Sequence, residues 1–266
     1  MTVESKANGV SSGRAGASRF RLDGQVAIVT GGGSGIGREV ADALVDSGAF
    51  VAILDADEEN ARAAASAIGP QSVAIVADVS DERSISDAVD QVAREYGRID
   101  VLFNNAGVNK RQPTVDMPLD DWNFVVSVNM TGMFLCAQSV ARHMIAAKRG
   151  SIVNTASVLG ISGGWYPNIA YAATKGAVVN MTRSWAVEWA PFGIRVNAIA
   201  PGIVRTRFTE AMVAQPTLVD KFEKLTPLGR LGDPDDVVGP VLFLASDAAA
   251  MVTGHTLPID GGMLAQ

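Results

Sequence analysis

Cysteine is almost missing from this sequence: Cys136 is the single example in 266 residues. No disulfide can form within the chain, which favours a reducing compartment, and a cytoplasmic location is expected. Cys136 lies in the apolar run Met133-Phe134-Leu135-Cys136-Ala137 and reads as a small buried hydrophobe rather than a reactive thiol. Histidine is nearly as scarce, with two residues, so no metal site is expected. Positive charge is outweighed, with 22 Lys and Arg against 28 Asp and Glu, a net charge of −6 and a pI near 5.0. That balance argues against a nucleic-acid partner. No apolar run approaches the roughly 20 residues that span a bilayer, so no membrane partner is expected either. Residues 1–19, rich in Ser, Gly, Ala and Asn, lack the apolar core of a secretory signal and read as a flexible arm. A Gly-x-Ser-x-Gly elbow is also lacking around Ser157, which disfavours a serine hydrolase.

What is present centres on Thr30-Gly31-Gly32-Gly33-Ser34-Gly35-Ile36-Gly37. An apolar strand, 26–29, leads in and an amphipathic helix, 36–45, leads out. Glycines there let the backbone turn sharply and approach a pyrophosphate, and the helix N-terminus adds partial positive charge. Gly31, Ser34, Gly35, Ile36 and Gly37 are therefore expected to bind cofactor phosphates. Downstream, apolar strands at 50–54, 73–76, 101–103, 151–154, 194–199 and 255–259 alternate with helical patterns. The helices are expected at about 58–68, from a Ser80 cap to about 96, at 119–147 in two pieces, at 170–190 and at 234–246. Such alternation predicts an α/β Rossmann-type doubly wound parallel sheet of about seven strands, with helices on both faces, as a single domain over 20–266. Residues 203–230 are the longest stretch without a strand and are expected to form a substrate lid.

Chemistry-bearing residues fall at strand ends. Asp55 closes the second strand about 20 residues after the glycine loop, where a carboxylate accepts bonds from ribose hydroxyls and repels a 2′-phosphate. NAD is thus favoured over NADP. Asp55 is equally placed to cap the following helix. Asp78-Val79 ends the third strand, placed to meet adenine, and Asn104-Asn105-Ala106-Gly107 ends the fourth. Tyr171 and Lys175, four apart on one helix, face the same way, and Ser157 follows the fifth strand to the same edge. A phenol has a pKa of about 10 and is a poor base at neutral pH. The Lys175 ammonium and an oxidised nicotinamide are expected to favour its phenolate. Tyr171 can then take a proton from a substrate hydroxyl as hydride leaves for the nicotinamide, with Ser157 bonded to the same oxygen.

Thr30-Gly-x-x-x-Gly-x-Gly37, Asn104-Asn-Ala-Gly107, Asn129, Ser157, Tyr171-x-x-x-Lys175 and Pro201-Gly202 together resemble the short-chain dehydrogenase/reductase family, over residues 20 to 264. The resemblance implies Tyr171 as acid/base, Lys175 binding the nicotinamide ribose, Ser157 positioning the reacting oxygen, and Asn129 holding a relay water. It also implies cofactor contacts at Ile36, Asn105, Val204 and Thr206. Asn109-Lys110-Arg111, Glu188-Trp189-Ala190, the stretch around Arg230 and Asp260-Gly-Gly-Met are similar to members acting on sugar acids and polyols, such as gluconate dehydrogenases. Lys110 and Arg111 are placed to meet a carboxylate, or else form a solvated basic pair. Trp165, Tyr166 and Phe208 are expected to wall the pocket of a small-molecule substrate. Three readings remain: an NAD-dependent sugar-acid or polyol dehydrogenase, a 3-oxoacyl or broad carbonyl reductase, and a non-catalytic NAD-binding sensor. Val178, Met181, Trp185 and Trp189 supply more apolar surface than one sheet face needs, and with the resemblance they predict a homotetramer, with a dimer as fallback.

Overall fold

The computed structural model describes residues 14–266. Most of the segment expected as an arm, 1–13, lies outside them, and Arg14–Ser18 form a short helix, α1. The strands are β1 (Val26–Thr30), β2 (Phe50–Asp55), β3 (Ser72–Val76), β4 (Val101–Asn104), β5 (Gly150–Thr155), β6 (Ile194–Pro201) and β7 (Thr256–Ile259). They form one seven-stranded sheet in the order β3-β2-β1-β4-β5-β6-β7, with every pairing parallel. This is the Rossmann-type sheet that the alternating pattern predicts. The helices are α2 (Gly35–Asp46), α3 (Glu58–Ile68), α4 (Glu82–Tyr96), α5 (Leu119–Val126), α6 (Met133–Ala147), α7 (Ile169–Trp189), α8 (Glu210–Val213), α9 (Pro216–Leu225) and α10 (Asp235–Ala245).

Side chains alternate along each strand, so both faces of the sheet must be covered. In β1, Val26 and Ile28 join a core with Leu102, Ile152, Val140, Met144 and Trp185. Ala27 and Val29 join the opposite core with Ile53, Phe103, Leu44, Val241 and Leu244. β1 lies between β2 and β4, so the chain leaves it toward one edge and later returns on the other side. The loops after β1 and β4 diverge there and open a crevice at the carboxyl ends of the strands.

Three local expectations change. Asp81, not Ser80, caps α4: its carboxylate accepts from Ser84 N at 3.0 Å. The stretch Leu119–Ala147 is, by length and composition, long and apolar enough to cross a membrane. Counting uninterrupted apolar residues misses it because Ser127, Asn129 and Thr131 break the run. Here it is a core element, with Val125, Met133, Cys136, Ala137, Val140 and Met144 buried, and it holds a π-helical segment at Ser127–Gly132. Finally, Trp185 and Trp189 do not face outward. Their rings stack at 5.4 Å and are buried in the core, as is Val178. The large apolar side chains that stay exposed on helices α5 to α7 are Leu119, Phe124, Phe134, Ile169 and Val187.

Candidate active site

A cleft of about 480 Å³ runs along the carboxyl edge of the sheet, from Asp55 and Asp78 at one end to Tyr166 and Phe208 at the other. Its floor is the glycine loop. Gly31 has φ +62°, and a Cβ there would stand 2.9 Å from Ala106 Cα. A Cβ on Gly37 would overlap Gly31 O and sit 2.8 Å from Asn105 Nδ2. The loop is also tied to the end of β4. Thr30 Oγ1 accepts from Asn105 N at 2.9 Å and Ala106 N at 3.1 Å, while Asn105 Nδ2 donates to Thr30 O at 3.2 Å. Ser34 is the extended N-cap of α2 and makes no side-chain cap bond. The first-turn amides of α2 therefore have no side-chain partner from their own cap, in a cradle that only glycine permits. Such a cradle fits a dinucleotide pyrophosphate.

At the near end, Asp55 is held rigidly. Its Oδ2 accepts from Gly33 N at 2.9 Å and its Oδ1 from Asp57 N at 3.0 Å. The helix cap is Asp57 instead, whose Oδ1 accepts from Asn60 N, so Asp55 is not used for capping. Asp78 Oδ1 accepts from Ser80 N and Oγ at 2.8 and 2.7 Å, and Val79 is buried against Gly132. Leu54, Ala56, Ala77 and Ser80 complete this end, and the cations that line the cleft, Arg111, Lys175 and Arg207, belong to other segments. Arg38 is exposed and does not line the cleft.

Deeper in, Ser157, Tyr171 and Lys175 come together from β5 and α7. Lys175 is 2% exposed, and its Nζ donates to Thr155 O at 2.6 Å and lies 5.5 Å from the Tyr171 ring centroid. Burial pushes the ammonium down to about 8. Burial likewise pushes the Tyr171 phenol up to about 12, opposed by a hydrogen bond from Ser157 and by the charge of Arg111. In the protein alone the Lys175 ammonium donates to a backbone carbonyl, and desolvation of the phenol outweighs the groups that lower it. Asn129, fully buried in the π-helical turn, clamps the loop after β4. Its Oδ1 accepts from Val108 N at 2.7 Å, and its Nδ2 donates to Val108 O at 2.9 Å and Thr174 Oγ1 at 3.3 Å. With both amide hydrogens so placed, the second lone pair of Oδ1 and the main chain remain for a relay water.

The family model for enoyl-(acyl carrier protein) reductase matches residues 31–264. D-threitol dehydrogenase of Mycolicibacterium smegmatis is 42% identical over 246 residues, covering 91% of this chain and 94% of that protein. The chain belongs to the short-chain dehydrogenase/reductase family. Among solved structures of this family, gluconate 5-dehydrogenase of Burkholderia cenocepacia, in complex with NADP and tartrate, superposes with a TM-score of 0.89 at 40% identity over 94% of this chain and 98% of that one. A 3-ketoacyl-(acyl-carrier-protein) reductase of Brucella melitensis, complexed with NADH, gives 0.86 at 35% over 91% and 99%.

In this short-chain dehydrogenase/reductase the outer wall separates the two basic residues that the sequence pairs. Lys110 turns away: it pairs with Asp121 at 3.4 Å and lies over the Phe124 ring, outside the cleft. Arg111 lines the cleft. Trp165, Tyr166 and Phe208 line it as expected, with the Phe208 ring 5.8 Å from that of Tyr171. Val204 and Thr206 also line it, and Thr206 N donates to Thr209 Oγ1 at 3.0 Å. The segment after β6 folds into a turn, Arg207–Thr209, then α8 and α9. Met212, Phe222 and Leu231 pack beneath Trp165 and Tyr166, and Phe222 meets Tyr166 edge-on at 5.7 Å. Sequence reasoning missed Phe124, Asn109 and Leu159, which also line the cleft. Leu159 carries a signal, two residues beyond Ser157. Phe124 carries none, because it reaches the cleft only through the path of α5.

Proposed function

We propose that this protein is an NAD-dependent dehydrogenase of secondary alcohols, acting on a polyol or sugar acid, with Tyr171 as general acid/base. The observation that carries this reading is one cleft with a fixed carboxylate, Asp55, at one end and Tyr171, Ser157 and Lys175 at the other. A bound nicotinamide supplies the hydride acceptor. Gly31, Ser34, Gly35, Ile36 and Gly37 hold its phosphates, and Asp55 its adenosine ribose, where a 2′-phosphate would meet a carboxylate with no lining cation beside it. Asp78, Val79, Asn105, Val204 and Thr206 complete the cofactor walls. Ser157 holds the substrate oxygen, Tyr171 takes its proton, and Lys175 sits behind the phenol. The resting phenol is too weak an acid to serve at neutral pH, so added positive charge on ligand binding must bring it down.

Polar and charged groups on the outer wall favour a polyol or sugar acid over a simple ketone: Arg111 and Tyr166 face the cleft beside Tyr171. The relatives named for threitol and gluconate act in that chemical range. A 3-oxoacyl reductase is the second reading, supported by the likeness to the Brucella protein; the net charge of −6 counts against an acidic carrier-protein partner. The protein works in the cytoplasm as a homotetramer in this reading, and light scattering that reports a monomer at micromolar concentration overturns the assembly. The test of the chemistry is Tyr171→Phe, assayed with NAD and a panel of polyols and sugar acids. Turnover should fall at least about a thousandfold while NADH still binds. Near-normal kcat would sink the mechanism.

A further inference from the structure

Two residues near Tyr166, Asn168 and Arg111, take no part in the proton and hydride transfer described above. Asn168 is 6% exposed, and neither its Oδ1 nor its Nδ2 has a hydrogen-bond partner. It stands at the N-cap of α7, where Asn ordinarily bonds a helix amide, and it makes no such bond. Two unpaired polar atoms on one buried side chain are costly and call for a reason. Its amide lies near the Tyr166 phenol and makes no hydrogen bond with it. The second feature is Arg111. Among the described residues it makes no ion pair, although Lys110 next to it does. It lines the cleft with Tyr166, and its charge reaches both the Tyr166 and the Tyr171 phenols.

We propose that Tyr166 and Arg111 form a second oxygen-binding subsite that selects substrates with a hydroxyl or carboxylate on the carbon next to the reacting one, and that Asn168 positions the Tyr166 phenol for it. The inference rests on the dehydrogenase reading above and narrows its substrate class. A guanidinium carries five N–H donors in a fixed fork, and that of Arg111 lines the cleft with no ion-pair partner among the described residues. Once Asn168 Nδ2, unpaired in the protein alone, donates to the phenol oxygen, the single O–H of Tyr166 is left to point at a ligand. Tyr166 and Tyr171 pack in one cluster with Trp165 and Leu159, so a substrate oxygen held at Tyr171 brings its neighbouring oxygen toward Tyr166. Phe222 and Met212 back the ring and keep it in place.

The test compares kcat/KM for a vicinal diol, 2,3-butanediol, with that for the matched mono-alcohol, 2-butanol, using NAD. The wild type should prefer the diol by at least about tenfold, the discrimination that hydrogen bonding to one hydroxyl provides. Tyr166→Phe removes only the O–H, and the ratio should fall by about tenfold. Arg111→Gln, on an exposed loop where folding is not at stake, should lower it similarly. Asn168→Ala should act on KM for the diol rather than on kcat, with NADH affinity, read by fluorescence, showing that the fold holds. A ratio within about twofold of wild type in both Tyr166→Phe and Arg111→Gln overturns the subsite. A wild type that oxidises both alcohols equally overturns it while the dehydrogenase reading stands. A wild type that binds NADH but oxidises no alcohol in a panel of polyols and sugar acids overturns both.

Discussion

Replacing Lys175 with Met should abolish turnover and also change how stability depends on pH. Lys175 is 2% exposed, with one hydrogen bond, to Thr155 O. Burial lowers its pKa from the ordinary 10.5 to about 8. Below about pH 8 the ammonium is charged in both states, and the folded state bears the cost of burying it. Between about pH 8 and 10.5 the unfolded chain still holds the proton and the folded one does not, so stability rises with pH. From roughly pH 7 to roughly pH 9.5 the proton difference integrates to about 1.5 pH units, or about 2 kcal/mol at about 1.4 kcal/mol per unit. Met removes this dependence. It also leaves Thr155 O without its partner, but that loss is the same at every pH and cancels from the slope. Tyr171, whose raised pKa destabilises the fold only once the unfolded phenol ionises above about pH 10, is present in both proteins. Urea unfolding of the cofactor-free proteins at both pH values measures the difference. Wild type should gain on Lys175→Met by about 2 kcal/mol toward the higher pH. A flat difference, or one of opposite sign, would refute the claim that Lys175 is held charged against desolvation.

Asp55→Ala should narrow the ratio of NAD to NADP efficiency by at least about tenfold, because the carboxylate fixed by Gly33 N and Asp57 N no longer faces a 2′-phosphate; a wild type that already prefers NADP would contradict this assignment. Gly37→Ala should cost about 1–3 kcal/mol of stability and weaken NADH binding, since the new methyl meets backbone at Gly31 rather than a movable side chain; unchanged urea midpoints and affinity would count against the close-packed loop. Amides at 205–225 should gain hydrogen-exchange protection when NAD and a substrate analogue bind together, as expected if α8 and α9 close over Phe208 and Met212; equal protection in both states would make the segment a rigid wall.

Much of this protein follows from short-range pattern. Apolar strands alternating with helices determine a parallel sheet, because a strand buried on both faces has no polar side to offer solvent. Glycines at 31 and 37 mark the tight loop after β1 because those positions tolerate no Cβ, and the spacing of four from Tyr171 to Lys175 puts both on one helix face. What sequence could not decide is what happens when distant segments meet. Adjacent Lys110 and Arg111 are equivalent in composition, but Asp121, brought up by α5, draws Lys110 out of the cleft and leaves Arg111 inside. Trp185 and Trp189 read as surplus surface until α7 lies on the sheet and buries them. The spacing of Tyr171 and Lys175 says nothing of their desolvation, yet burial raises the phenol and lowers the ammonium, which donates to Thr155 O. Periodicity and local sterics act over a few residues and can be read along the chain. Desolvation, ion pairing and side-chain burial depend on which segments converge, and only the tertiary structure decides that.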